Sequence, residues 1–416
     1  MRMTRADVPV PLVRSGEVAS RTAIRRANLG LVLRDLNTHG SRSQTQLAED
    51  LGLPKATVST LVSELIELDL VYQTDATRAG AVGRPRQTVE LRGTAFCGLG
   101  VEIAATGARA VALDLRDDVL HDHAIAFDRA DPDTVLAAVA GLIDDALTVL
   151  GAAGSQVLGV TIAAPGQMDR DTGVIRFAAP LGWSEVALVA GLTERLPANI
   201  PPILIDNDAR LGAVAEYAVA RAEGIHDLLY VTGGLGVGAG ILVDGQILRG
   251  AMGFAGEIGH LPLGNPDLAC PCGRNGCVEA TVAVTAFLDA VADPPHDLRD
   301  LEQLMTDLRA RADAGDPAVL AALGMVGQGL GVVVGMLIDV LSPRAVILGG
   351  YFSYFGDHLL THVRGAVEAR AIAGQAGGCE IRTSGFGFTG PARGAAHTAL
   401  EAVFTDPVAC MERLSK

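Results

Sequence analysis

GFAGEIGHLPLGNPDLACPCGRNGCVE, residues 253–279, crowds one imidazole and three thiols into a short, glycine-rich run. His260 is followed by Cys270, Cys272 and Cys277, and Gly273 and Gly276 permit the tight loop that such close donors need. A borderline-soft d¹⁰ ion with a tetrahedral preference suits one nitrogen and three sulfurs, and four protein ligands leave no open position for water. The expected site is one structural zinc per chain, pinning this loop. Three reduced core cysteines beside an unrelated histidine would account for neither the number nor the spacing of the donors.

The rest of the composition agrees with that setting. Cys97, Cys379 and Cys410 are scattered, whereas a disulfide framework would not concentrate half its thiols in one loop, so a reducing compartment is expected. The 416 residues are 49% hydrophobic and 19% charged, which excludes a mainly disordered chain, and they exceed what one core usually serves. Fifty glycines with only 4% aromatics suit closely packed α/β layers. Met1 to Arg14 has no apolar core of signal-peptide length. Gly324 to Leu341 is interrupted by Gln328 and Asp339 and is read as a buried helix, so a soluble cytoplasmic protein with no membrane contact is expected.

Net charge is −15, but it is unevenly spread: residues 1–90 hold 12 Lys+Arg against 10 Asp+Glu, and the remainder 21 against 38. A slightly basic front on an acidic body suggests two parts with different partners. In the front part, Leu29, Val32, Leu33 and Leu36 mark one amphipathic helix. Ser43 is placed to cap a second helix carrying Leu47, Ala48 and Leu51. After Gly52 and Pro54, a third helix buries Val58, Leu61, Val62, Leu65 and Ile66. Its other face shows Lys55, Thr57, Ser59, Thr60 and Ser63, small polar or basic residues that suit entry into a major groove. Two extended runs, Val71–Gln73 and Thr88–Leu91, flank a loop ending Gly83-Arg84-Pro85-Arg86, a cationic wing of minor-groove shape. The expected contacts to double-stranded DNA are Arg42, Ser43, Gln44, Lys55, Thr57, Ser59, Thr60, Ser63, Arg84 and Arg86. A small helical bundle with an ordinary solvated loop is the alternative, and the wing at the right distance argues against it. Residues 1–20 read as a disordered arm.

From Ala95 the chain alternates short apolar strands with helices. Strands are expected at Cys97–Ile103, Ala110–Leu113, Val157–Ile162, Pro202–Asp206, Leu228–Thr232 and Ala345–Leu348. Helices are expected at Pro132–Leu150, Arg210–Ala222, Pro317–Val340 and Asp357–Ala371. This is the pattern of a layered α/β protein.

The 253–279 run, together with Ala164-Pro165-Gly166, Leu181-Gly182-Trp183 and Asp206-Asn207-Asp208-Ala209, resembles the ROK family of repressors, open reading frames and kinases. With the front helix-turn-helix, the arrangement resembles that family's transcriptional regulators rather than its shorter sugar kinases. The resemblance implies an actin-like, hexokinase-type two-lobed α/β fold preceded by a winged helix-turn-helix domain. The expected boundaries are 21–93 for that domain, 94–206 plus 388–416 for a small lobe, and 207–387 for a large lobe with the zinc loop and dimer-forming helices. It also implies zinc on the His260 cluster and sugar contacts from Asn207, Asp208, Glu257, His260 and Glu279. Carboxylates and amides are well equipped to bond sugar hydroxyls, and His260 would serve metal and ligand with different ring nitrogens.

Kinase chemistry requires more. Asp208 matches the general base, but the family's Asp-x-Gly-Gly-Thr phosphate turn reads Glu102-Ile103-Ala104-Ala105-Thr106 here, and its Gly-Thr-Gly loop reads Gly234-Leu235-Gly236. Pro180 stands where an Asn usually precedes Leu-Gly-Trp, and Arg210 where kinases usually carry Asn. The expectation is a degenerate kinase fold without ATP, Asp208 surviving as a vestigial base. It would act as a sugar-responsive regulator, most naturally a repressor, of carbohydrate metabolism. Expected partners are operator DNA, a sugar or sugar phosphate between the lobes, and a second copy in a homodimer or dimer of dimers. The alternatives are an active ATP-dependent sugar kinase with an added DNA-binding arm, and a regulator controlled by a protein docking on the acidic body.

Overall fold

The computed structural model describes residues 21–75, 87–127, 131–292, 297–372 and 378–414. The arm expected at 1–20 and the loop carrying Arg84 and Arg86 lie outside these. The chain divides into two compact units, one comprising residues up to Arg92 together with those from Ala402 on, the other Gly93–Glu401. Residues 402–414, expected in the small lobe, thus group with the front of the chain.

The first unit begins α1 (Arg21–His39), β1 (Arg42–Ser43), α2 (Gln44–Leu51), α3 (Lys55–Glu67), β2 (Val71–Asp75) and β3 (Gln87–Leu91), with sheet order β1-β3-β2. The stripe Leu29, Val32, Leu33 and Leu36 is at most 2% exposed and faces Leu47, Val58, Leu61, Val62 and Leu65. Ile66 departs from expectation at 39% exposed. At 100° per residue Ile66 falls on the flank of the stripe Val58, Leu61, Val62 and Leu65, one residue before α3 ends, and the core beyond is filled by Leu70 and Val71. Ser43 accepts from the Gln46 amide while the Gln46 side chain accepts from the Ser43 amide, a reciprocal capping box that starts α2. Strands β2 and β3 pair antiparallel as the wing's stem.

The second unit contains β4 (Phe96–Ala104), β5 (Gly107–Asp114), β6 (Val119–Ala126), α4 (Pro132–Ala152), β7 (Gln156–Ala164), β8 (Gln167–Asp169), β9 (Val174–Ala178), β10 (Trp183–Val186), α5 (Leu188–Thr193), β11 (Ile203–Asn207) and α6 (Asp208–Ala220). It continues with β12 (Leu228–Gly233), β13 (Val237–Val243), β14 (Gln246–Ile247), α7 (Glu279–Val282), α8 (Val284–Val291), α9 (Leu301–Asp313), α10 (Pro317–Leu341), β15 (Ala345–Gly350), α11 (Asp357–Glu368), β16 (Glu380–Thr383) and α12 (Gly390–Thr405). A last helix, α13 (Pro407–Leu414), returns to the first unit.

Two five-stranded sheets run β11-β7-β4-β5-β6 and β14-β13-β12-β15-β16. Renumbered within each, both orders read third-second-first-fourth-fifth, so one topology occurs twice and makes a two-lobed body. A small sheet, β10-β9-β8, adjoins the first lobe. Each lobe has its own apolar core, one around β4, β7 and α4, the other around β12, β15, α8 and α10. Helices α4 and α10 are apolar and long enough to cross a membrane, but each lays a buried face on its core.

The abundant glycine and alanine have a structural use between the sheets. A Cβ on Gly100 would lie 1.9 Å from the Ala392 carbonyl oxygen, and one on Gly394 would lie 1.7 Å from that of Leu211. Helix α12 therefore meets β4 and α6 backbone to backbone, which only residues without a Cβ allow.

Candidate ligand, metal and nucleic-acid sites

A cavity of about 460 Å³ opens between the lobes, and Asn207, Asp208, Glu257, His260 and Glu279 all line it. Strand β11 ends at Asn207, whose side-chain oxygen accepts the Arg210 amide at 3.2 Å and caps α6, while its amide nitrogen donates to the Gly166 carbonyl at 3.3 Å. That engagement makes Asn207 chiefly a brace. Asp208 follows at the first turn of α6, with one oxygen on the Ala209 amide at 2.8 Å. Gly256 and Gly259 let the next segment lie flat on β13: a Cβ on either would meet the Ala239 or Val237 carbonyl oxygen at 2.0 or 2.2 Å. This contact carries Glu257 and His260 into the cavity. Glu279 opens α7 and is held by the Val237 amide at 3.0 Å.

The Glu257 side chain makes no hydrogen bond among the described residues, and burial, partly offset by His260, raises its carboxyl above the ordinary value. Burial likewise raises Asp208. The sequence reading treated Glu102 only as a departure from a phosphate turn, but it too lines the cavity, and burial with the charge of Asp208 pushes its carboxyl up to about 8. A carboxyl held neutral is a hydrogen-bond donor as well as an acceptor. Its spacing from Asp208, more than a hundred residues along the chain, gave no signal in the sequence.

The two turns compared above with the family's phosphate loops face the same cavity. The β4–β5 turn contributes Ala104, Ala105 and Thr106, and the β12–β13 turn contributes Gly234, Leu235 and Gly236. Leu235 packs against the cores of both lobes, so an apolar side chain stands where the family motif has a hydroxyl. Pro180 also lines the cavity.

His260, Cys270, Cys272 and Cys277 converge, with all four donor atoms within 4.8 Å of one another. His260 Nδ1 lies 3.7 Å from Cys270 Sγ, and Cys272 Sγ lies 3.7 Å from Cys277 Sγ. Tetrahedral zinc with bonds of about 2.3 Å to sulfur places its ligands about 3.8 Å apart, so this donor set fits such an ion. Since Nδ1 faces the thiols, Nε2 is the ring nitrogen left for a ligand.

Arg210, which sequence reasoning left without a role, is buried in an ion pair, Nε to Asp206 at 2.7 Å, and donates through Nη1 to the Gly253 carbonyl at 2.6 Å. The i,i+4 spacing of Asp206 and Arg210 on the entry to a helix was the available signal.

In the first unit, Lys55, Ser59, Thr60 and Ser63 are exposed along α3, and Thr57 is half-buried. Thr60 and Ser63 turn their hydroxyls back to the Ala56 and Ser59 carbonyls. Ser43 is buried in its capping role, Gln44 is half-buried, and Arg42 sits 3.9 Å from both Asp35 and Asp50. The exposed polar face therefore belongs to α3.

The ROK family model matches residues 98–402, and the IclR helix-turn-helix domain model matches residues 27–75. The chain is 26% identical over 377 residues to the xylose repressor of Caldicellulosiruptor bescii, covering 88% of this chain and 94% of that one. It is 28% identical over 301 residues to the glucokinase of Halalkalibacterium halodurans, covering 70% of this chain and 90% of that one. A solved ROK family transcriptional regulator, a homologue of the E. coli MLC protein, superposes with a TM-score of 0.75 at 23% identity, over 94% of this chain and 100% of that one, which shows the fold.

Proposed function

We propose, from the premise that this chain belongs to the ROK family and carries an IclR-type helix-turn-helix, that it is a sugar-responsive transcriptional repressor of carbohydrate metabolism. One observation carries the reading: a single chain joins an exposed polar recognition helix to a cavity that keeps its hydroxyl-binding groups while its phosphate loops hold Ala104, Ala105 and Leu235. In this reading Lys55, Thr57, Ser59, Thr60 and Ser63 meet operator DNA, with Arg84 and Arg86 in the wing. Asn207 braces the pocket, and Asp208, Glu257, His260 and Glu279 bond the hydroxyls of a sugar or sugar phosphate.

The zinc is structural, held by His260, Cys270, Cys272 and Cys277, and it fixes the ring whose Nε2 meets the ligand. Two copies of the chain present two recognition helices to two half-sites. The protein works in the cytoplasm, where its thiols stay reduced. Sugar binding favours one spacing of the lobes, and operator affinity changes because the two spacings bind DNA differently.

The competing reading is an active sugar kinase, favoured by Asp208 at the base position and by the glucokinase relative. Fluorescence anisotropy with operator fragments from around the protein's own gene tests the repressor, with a panel of pentoses, hexoses and amino sugars added in turn. Sequence-selective binding at moderate salt, shifted by one sugar, is the expected result. Absence of any selective binding ends the repressor reading. Sustained ATP turnover that depends on a sugar and is abolished by Asp208→Asn establishes the kinase instead.

A further inference from the structure

Asp206 is 1% exposed and is surrounded by three guanidiniums. One oxygen accepts Arg210 Nε at 2.7 Å and the Asn207 amide at 2.8 Å; the other accepts Arg249 Nη2 at 3.0 Å and lies 3.3 Å from Arg170 Nε, whose hydrogen goes to the Ile205 carbonyl at 3.2 Å. Burial alone would raise this carboxyl, but Arg210, Arg170 and Arg249 together outweigh it and hold it below its ordinary value. Both carboxylate oxygens are thus fully engaged, and three cations still face one anion. Asp171, the next acidic group near Arg170, is exposed and solvent-screened.

The surplus falls on two side chains. Arg249 Nε is buried without a hydrogen-bond partner among the described residues, and neither Nη of Arg170 makes a hydrogen bond there. A buried guanidinium N–H is costly to leave unmatched, as Arg249 Nε is, and the solvent-facing Nη groups of Arg170 lie on the other side of the same Asp206 oxygen, a pairing that suits an oxyanion. Arg170 and Arg249 are each a little over one-third exposed, so solvent reaches the place where they converge. Neither they nor Asp206 and Arg210 line the interlobe cavity, although Asn207 and Asp208 do.

We propose that Arg170 and Arg249 form a second, anionic ligand site that takes a phosphoryl or similar tetrahedral oxyanion, separate from the cavity. The site touches both backbone segments that feed the cavity. Asp206 immediately precedes Asn207 and Asp208, and Arg249 opens the loop that Arg210 ties down at Gly253 ahead of Glu257. An anion recruiting Arg249 would therefore compete with Asp206 for it and bear on both segments.

Calorimetry on the full chain tests this, titrating inorganic phosphate, sulfate and acetate against the unmodified protein, Arg170→Gln and Arg249→Gln. Phosphate and sulfate are expected to bind saturably at one per chain, and each substitution to weaken that binding by about tenfold or more. Arg249 also holds its loop, so a circular dichroism melt accompanies that variant. Arg170 lies on a different element and carries the test if Arg249→Gln fails to fold. A hexose phosphate that binds more tightly than inorganic phosphate, with the same sensitivity to both substitutions, identifies an esterified phosphoryl group. Equal or weaker binding with that sensitivity identifies the free anion. No saturable binding at millimolar phosphate, binding indifferent to both substitutions, or acetate matching phosphate would each overturn the assignment.

Discussion

Replacing Glu102 by glutamine should make the body more stable at alkaline pH and leave it unchanged in mild acid. The Glu102 carboxyl is raised from its ordinary 4.5 to about 8, first by burial and then by the charge of Asp208. The difference of 3.5 units, at about 1.36 kcal/mol each, sets a ceiling of roughly 5 kcal/mol on the cost of ionising it in the folded chain. Water entering the open cavity lowers that ceiling, so about 2–5 kcal/mol is the working range. Between pH 4.5 and 8 the folded chain keeps a proton that the unfolded chain has released. The folded state therefore binds more protons, and stability falls as pH rises through that window. Glutamine keeps the shape and cannot ionise. Urea unfolding at steps from pH 4.5 to 9 can be followed by Trp183, the single tryptophan, which is 3% exposed in the same lobe. The two proteins should coincide near pH 4.5 and separate by about 2–5 kcal/mol at pH 8–9, the variant having the flatter profile. Parallel profiles would refute the reasoning. So would a wild-type profile that flattens on adding magnesium, since that would make Glu102 a cation ligand of the kind a kinase needs.

Cys272→Ser should leave the chain with less than one zinc per protomer by elemental analysis and with weaker sugar binding by calorimetry, because His260 loses its anchor. Full zinc occupancy in that variant would remove Cys272 from the ligand set. Ser43→Ala removes the hydroxyl that accepts the Gln46 amide while leaving the backbone half of the capping box, and should cost the first unit about 0.5–2 kcal/mol. Faster hydrogen exchange at the first α2 amides and a drop in operator affinity would register it, and unchanged exchange would show that the cap does not hold α2. Gly30→Ala places a Cβ 2.2 Å from the Phe404 carbonyl oxygen, so α1 must part from the segment after residue 402. A loss of about 1–3 kcal/mol is expected, seen as faster exchange in α1 and at 404–406 together, and protection unchanged at both would contradict the packing.

The sequence made the periodic parts of this fold legible. The α1 stripe, the Ser43 cap and the six strands sought after Ala95 all sit where alternation and turn residues place them. Each such element buries one face against a neighbour close in the chain or carries a continuous apolar run. The small sheet β10-β9-β8 and strand β6 escaped notice because β8, β9 and β10 are short and β6 is largely exposed, leaving no apolar run to count. Ile66 is exposed because it lies at the edge of the apolar stripe, where periodicity alone does not say how wide a face the neighbouring elements cover. The five cavity residues were legible through a family motif. The structure brings them to one cavity, but the division of labour among them, Asn207 bracing while Glu257 stays unengaged, depends on partners distant in the chain. Glu102 beside Asp208 and the Arg170–Arg249 convergence on Asp206 are likewise long-range meetings that no window of sequence contains.

The placement of the cavity groups also bears on what a bound sugar could accomplish. Moving a two-state equilibrium from 1:99 to 99:1 needs a preference of about 10⁴-fold, roughly 5.5 kcal/mol, for one state. Hydrogen bonds to charged groups contribute about 1.5–3 kcal/mol each, so two to four of them suffice, provided they form in only one spacing of the lobes. Glu102 comes from the end of β4 in one lobe, and Glu257 and His260 come from the segment lying on β13 in the other, with Asp208 where β11 passes into α6. A ligand bonded to one side alone would bind both spacings equally and shift nothing, however tightly it held. A ligand bonded across the cavity binds one spacing better, and that difference is available to bias operator binding without any bond being broken. Phosphoryl transfer would need, in addition, backbone amides free to approach phosphate at two turns. At those turns the chain presents the methyl groups of Ala104 and Ala105 and the isobutyl group of Leu235, which packs on both cores. On the proposed reading, groups on both sides of the cavity tell one spacing from another while the turns that would cradle a nucleotide carry Ala104, Ala105 and Leu235, the pattern a reversible sensor requires.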